Sequence, residues 1–307
     1  MTADDRTRIT MAIPLHRSAR FVDVVSANIE RIADDDVEIL VSDRTMLDDA
    51  LAQLRDRHAG DPRVRFVERS DGLDLVDHYN ALLTGARGRY FVWFPHDDDI
   101  PPDFLPLLSD ALDRNPDALL AFGRIRAVDE GGAELHRRLP DPPFELGQRA
   151  RSAEAAALLQ RWPLWIAFRG LMRRDEILRR RLTVRRLGRR DIADGEWAFA
   201  VAASAPIVFE PQCWFAKRYY PTSTHATWGR RSSIDELATV PVCAGYLTAA
   251  RITPQDRARL LRFVAIRAIQ RSPWALPDGL RNSVPAPVRH TISTLLQPIV
   301  RRAGDAT

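Results

Sequence analysis

The chain has 307 residues, 45% hydrophobic and 28% charged, a composition that supports a buried core and excludes wholesale disorder. A formal net charge of +4 is too small for this length to call for a nucleic-acid partner. Cys213 and Cys243 make no disulfide framework, residues 1–8 hold no apolar signal core, and no run approaches the roughly 18 to 20 apolar residues of a membrane helix, so a cytoplasmic protein, at most peripheral at a membrane surface, is expected.

Residues 9–13 read as a buried strand. Phe21, Val24, Val25, Asn28 and Ile32 then recur at helical spacing. Residues 37–42 make a second strand. Asp48 and Asp49 open the next helix, with Leu47, Leu51 and Leu54 as its apolar face. Residues 64–67 are a third strand, followed by a helix carrying Leu75, Tyr79, Leu82 and Leu83. Residues 90–94 are a fourth strand, and Phe104, Leu107, Leu108, Ala111 and Leu112 mark the helix after it. Residues 118–125 form a fifth strand, closed by the turn signal Asp129-Glu130-Gly131-Gly132.

Strands separated by helices of this length predict βαβ units and a largely parallel sheet. In such sheets ligands gather outside the carboxyl ends of the strands. One rim should therefore collect Pro14 to His16, Asp43, and His96 to Asp99. Residues 162–172 and 207–220 are aromatic and β-prone, with a helical pattern at 196–205 between them. From about Ser232 onward the chain reads as helical, most clearly at 255–270. Asp141-Pro142-Pro143 marks a seam between two halves.

His96-Asp97-Asp98-Asp99 follows the most apolar strand without a spacer. Adjacent carboxylates raise one another's pKa, and a divalent cation removes that cost. Mg2+ or Mn2+ suits carboxylate oxygens and takes one or two of them together with substrate phosphates. An acidic helix start before Phe104 is the competing explanation.

At this point the sequence resembles the family 2 inverting glycosyltransferases, which have the GT-A fold. The resemblance runs from about Arg8 to about Trp228. Ile13-Pro14-Leu15-His16 is similar to the family's opening strand and turn, and residues 38–43 to its second strand, which ends in the base-binding aspartate, here Asp43. Tyr79-Asn80 and residues 86–90 are similar to the asparagine-bearing helix that leads into the metal strand. By that register Asp97 lies near the ribose and Asp98 binds the metal. Arg44, where a second aspartate is common, and His96, where small or acidic residues are usual, depart from the pattern.

The resemblance also implies roles further on. Residues 191–197 resemble the second acidic motif, which implies Asp194 as the base for the acceptor hydroxyl, with Glu196 and Asp191 as alternatives. Asp194 as a helix N-cap is the structural alternative. Residues 217–225 resemble the late loop over the donor diphosphate, with Lys217 and Arg218 as its cations and His225 as a metal or surface histidine. Pro14, His16, Asp43, Asn80, Asp97, Lys217 and Arg218 are thus expected to hold the nucleotide sugar.

The arginines between 173 and 190 are either a solvated face or a contact for an anionic, lipid-linked or glycan acceptor. An amphipathic pattern at 285–302 either lies on a bilayer or packs on the protein. Trp93, Trp162, Trp165, Trp197, Trp214 and Trp228 are either core or a sugar-stacking wall. The implied organisation is a GT-A-like α/β domain over residues 1–230, its mostly parallel sheet flanked by helices. Residues 1–130 would be its donor half, 131–230 its acceptor half, and 231–307 a helical C-terminal extension. A nucleotidyltransferase would need a glycine-rich loop after the first strand, where Pro14-Leu15-His16-Arg17-Ser18 has no glycine. A degenerate binding protein of the same fold is the non-enzymatic alternative.

Overall fold

The computed structural model describes residues 7–69, 72–188, 192–223, 232–250 and 252–272. His225, Asp191, Trp228 and the pattern at 285–302 lie outside the described residues.

The strands are β1 (Ile9–Leu15), β2 (Val37–Asp43), β3 (Val64–Glu68), β4 (Tyr90–Trp93), β5 (Leu120–Val128), β6 (Glu134–Arg138), β7 (Leu171–Arg173) and β8 (Ile207–Arg218). Every residue of β1, β2 and β4 is buried, as parallel strands covered on both faces require. The helices are α1 (Val22–Arg31), α2 (Ala50–Arg57), α3 (Leu75–Gly85), α4 (Phe104–Arg114), α5 (Arg151–Arg161), α6 (Arg174–Arg179), α7 (Asp194–Ser204), α8 (Ser233–Ala249) and α9 (Pro254–Arg271).

The sheet order is β3-β2-β1-β4-β7-β5-β6, with β8 beside β5. β3, β2, β1 and β4 run parallel, β7 is antiparallel to both β4 and β5, and β8 is parallel to β5. The carboxyl ends of β1, β2, β4, β5 and β8 therefore share one edge. Since β7 and β8 belong to the same sheet as β1 to β4, the proline-rich seam at 141–143 lies in a loop and does not interrupt it.

Two expectations are corrected. Residues 162–172 form a 3-10 helix, Leu164–Arg169, before the short β7. Their aromatic residues favour whichever backbone buries them, and Phe168 stacks on Trp93 at 5.0 Å. Helix α2 starts at Ala50, and Leu47 is 57% exposed and belongs to no apolar face. Asp48 instead ties the preceding loop together, accepting from the amides of Ala19 at 2.9 Å and Ala50 at 3.1 Å.

The C-terminal helices complete the packing. α9 lies against α8 and α5, and α8 against α7. No described helix is long and apolar enough to cross a membrane.

Candidate active site

Two buried carboxylates stand at the carboxyl ends of β2 and β4, the strands flanking β1. Asp43 pairs with Leu15 in the β1–β2 register. Its Oδ1 accepts from the Thr45 amide (2.8 Å), the Thr45 hydroxyl (2.9 Å) and the Met46 amide (3.2 Å). Its Oδ2 is buried with no hydrogen-bond partner. Asp98 is fully buried, and its Oδ1 accepts from the Arg218 amide at 3.0 Å while Oδ2 has no partner. Buried acceptors are normally satisfied, so two orphaned carboxylate oxygens on one edge point to a ligand.

A structural acid in the same sheet provides the contrast. Glu38, at the amino-terminal end of β2, is also buried, at 6% exposure. It accepts from Thr10 at 2.6 Å, the Arg87 amide at 2.9 Å and Arg65 at 2.9 Å, leaving neither oxygen open.

The electrostatics separate Asp97 from Asp98. Burial alone would raise Asp97, but the charges of His96 and Lys217, the Tyr220 hydroxyl at 2.8 Å and Arg169 hold it below the usual carboxylate range. Burial pushes Asp98 up to about 6; the Asp97 charge adds to the rise, while Lys217, Arg169 and the Arg218 amide oppose it. Asp99 forms ion pairs with Arg218 and with Arg31, the latter at 3.3 Å.

Arg218 is an expected diphosphate contact, and its guanidinium is also engaged with the chain itself. Its guanidinium donates to the Asp97 carbonyl (2.9 Å) and to the carbonyls of Asp129 (3.3 Å) and Glu130 (2.9 Å), besides pairing with Asp99. It holds the acidic loop against the β5–β6 turn. Asn80, another expected donor contact, is likewise bonded within the chain. Its amide nitrogen donates to the Val184 carbonyl at 3.0 Å and its oxygen accepts from the Val184 amide at 2.8 Å, a clamp between α3 and the chain leading to α7.

The other expected rim residues do gather at this edge. Pro14 lies in β1 opposite Ser42, and its carbonyl is 3.3 Å from His96 Nδ1. His16 is exposed, and burial of its ring followed by the charges of Arg44, Arg17 and His96 lowers its pKa. Lys217 is 8% exposed, with its ammonium 5.4 Å from the Tyr219 ring. Arg17 and Met46, in the turns after β1 and β2, both adopt positive φ, a conformation non-glycine residues hold mainly where the surroundings impose it.

Arg169 has no sequence signal of its own, and Tyr79 has one only as a residue of the α3 face and the asparagine motif. Arg169 ends the 3-10 helix inside a segment that reads as a strand, yet its charge acts on Asp97, Asp98 and Tyr79, and its Nε is buried without a partner. Gly170 permits this placement, because a Cβ there would lie 2.4 Å from the Ala121 carbonyl oxygen. Tyr79 links the two acidic motifs. Burial raises its phenol pKa, Arg169 opposes the rise, and the charges of both Asp97 and Asp194 add to it.

Asp194 is the first residue of α7, after the N-cap Ala193, and its carboxylate accepts from the Gly195 amide at 2.7 Å. It therefore lies one position inside the cap that was its structural alternative. Asp194 and the buried Glu196 line a cavity of about 640 Å³ with Trp165 and Glu236.

The basic run is largely structural among the described residues. Arg173 donates to the carbonyls of Ala118 and Leu112, Arg174 to those of Leu83 and Thr84, and Arg185 to that of Gly245. The bonds to Leu112, Leu83 and Thr84 satisfy carbonyls in the last turns of α4 and α3. Trp93 and Trp197 are fully buried core, and Trp214 lies 3.7 Å under Arg126.

The parallel sheet, its acid-bearing carboxyl edge and a second acid at the start of a facing helix define a transferase of the GT-A fold. A family model described as Glycosyl transferase family 2 matches residues 10–194, more than half of the chain, and the chain belongs to that family. S. aureus TarS 1-349, solved in complex with UDP-GlcNAc, shares the fold with a TM-score of 0.63 at 13% identity, over 88% of this chain and 82% of that one. Mannosyltransferase PcManGT from Pyrobaculum calidifontis, in complex with GDP-Man and Mn2+, gives a TM-score of 0.53 at 16% identity, over 97% and 81%. Uncharacterized protein y4gI of Sinorhizobium fredii (strain NBRC 101917 / NGR234) is 37% identical over 79 residues, 26% of this chain and 9% of that protein, so the chain spans a small part of that relative.

Proposed function

We propose that this glycosyltransferase moves a sugar from a nucleotide-diphosphate donor to an acceptor hydroxyl, with inversion at the anomeric carbon and assistance from Mn2+ or Mg2+. The observation that carries this reading is the pair of orphaned buried oxygens, Asp43 Oδ2 and Asp98 Oδ2, at the ends of strands flanking β1. A nucleotide base offers hydrogen-bond donors to the first, and a cation bound by the diphosphate would complete the second. GDP-Man and UDP-GlcNAc in the related structures support the donor class.

The residues fit a hard cation. Among the described residues no group of three metal-ligating side chains occurs, and Mg2+ or Mn2+ held chiefly by phosphates needs only one or two carboxylates. Asp98 would hold it, with Asp97 beside it and His225 as a further ligand. When bound, the ion neutralises charge on the leaving diphosphate.

The chain's own groups supply the rest. Asp43, Asp97 and the turn at Pro14 and His16 fix the nucleoside, and Lys217 with Arg169 faces the diphosphate. Asp194 accepts the proton of the attacking hydroxyl as its oxygen bonds to the anomeric carbon opposite the leaving phosphate oxygen. Glu196 is the alternative base. Donor contacts come chiefly from about residues 1–130, joined by Lys217 and Arg169, and acceptor contacts from about 131–230. Nucleotide release from UDP-GlcNAc and GDP-Man, with and without Mn2+, tests the proposal. Asp98→Ala should abolish release and metal-dependent donor binding, and near wild-type turnover by this variant refutes the assignment.

A further inference from the structure

The cavity beside Asp194 lies between α5, the 3-10 helix, α7 and the C-terminal helices α8 and α9. Its volume of about 640 Å³ lies in the range of small-ligand sites. The first turn of α8 contributes Glu236, which is 5% exposed and has an Oε2 without any hydrogen-bond partner. Such a carboxylate is costly to bury unless a donor completes it. The capping box of Ser232 and Asp235 fixes this turn, so the direction of Glu236 is set by the fold.

The lining also carries a chemical signature. Asp194, Glu196 and Glu236 are balanced by Arg161, Arg267 and Arg271, which leaves the walls without net charge. Trp165 supplies a half-buried aromatic face. Paired acceptors and donors beside an indole suit a neutral polyhydroxylated ring. A phosphorylated ligand would call for an excess of cations.

We propose that this cavity is the acceptor site, that it takes a neutral sugar, and that Glu236 binds the acceptor's hydroxyls through the C-terminal extension. The inference rests on the glycosyl-transfer reading above and adds to it the acceptor's chemical class and a binding residue outside the stretch matched by the family model. Asp194, at one end of the cavity, receives the hydroxyl that reacts, and Glu236 orients the ring from the opposite element. α8 and α9 thereby decide which acceptors fit.

The test uses the full chain with Mn2+ and either UDP or GDP. Binding of the methyl glycosides of glucose, mannose, galactose and N-acetylglucosamine, and of the corresponding 6-phosphates, is followed by saturation-transfer NMR. At least one neutral glycoside should bind, and Glu236→Gln should weaken it about tenfold or more while leaving nucleotide affinity unchanged and the thermal midpoint no lower. If Glu236→Gln does not fold, Glu236→Asp is measured in its place. Absence of glycoside binding, or binding indifferent to both variants, overturns the proposal, and tighter binding of the 6-phosphates overturns the choice of a neutral ring. If neither nucleotide binds, the donor reading itself has failed; if a nucleotide binds and the glycosides do not, only the acceptor inference has.

Discussion

Asp98 combines complete burial with one satisfied oxygen and one open one. Its pKa of about 6 stands above the ordinary 3.8, so the folded chain holds the proton more tightly than the unfolded chain does. The associated stability is whole below about pH 4 and is lost as pH rises through 6. Asp98→Asn cannot ionise, and its side-chain oxygen can still accept from the Arg218 amide. In EDTA at pH 7.5 the variant should be more stable than wild type, by up to about 3 kcal/mol, and the gain should vanish near pH 4. Thermal unfolding across that range checks this, and a gain independent of pH contradicts it. Asp194→Asn should keep nucleotide affinity and lower kcat by about a hundredfold or more. A fall in stability with kcat intact would make Asp194 only a helix-start residue.

The turns and caps aim these side chains. Ser232 and Asp235 close a reciprocal capping box at the start of α8, and Ser232→Ala should cost about 1 kcal/mol in urea unfolding. Gly170→Ala would set a methyl group 2.4 Å from the Ala121 carbonyl oxygen, displacing β7 and with it Arg169. Loss of donor affinity together with stability is the expected outcome, read by nucleotide titration and thermal unfolding. The strands β1, β2 and β4 were legible because each is a short, predominantly apolar segment rich in β-formers. The 3-10 helix at Leu164–Arg169 was not, because its aromatic residues carry no helical period and take their conformation from Trp93 and Trp197.

Across the whole molecule, one aromatic cluster joins the two acidic motifs. Trp93 on β4 meets Phe168 at 5.0 Å and Trp197 on α7 at 5.6 Å. Trp93 ends the strand that leads to Asp97 and Asp98, and Trp197 lies three residues after Asp194, so the core fixes the spacing between the two acidic motifs. Trp197→Ala should cost roughly 3 to 5 kcal/mol in urea unfolding. Its turnover should fall even where the protein is fully folded, because Asp194 loses its support. The sequence by itself determined the alternation of strands and helices, the acid-bearing edge and the position of both acidic motifs, since these depend on periodicity and on residues next to one another. Only the tertiary structure decided that Arg218 and Asn80 bond across the chain, that Arg169 acts on Asp98 while Glu236 lines the cavity beside Asp194, and that Asp43 and Asp98 keep an open oxygen where Glu38 does not. Those outcomes depend on partners far apart in the chain, as Asp98 and Arg218 are, and a side chain's hydrogen bonds are settled only when packing brings such partners together.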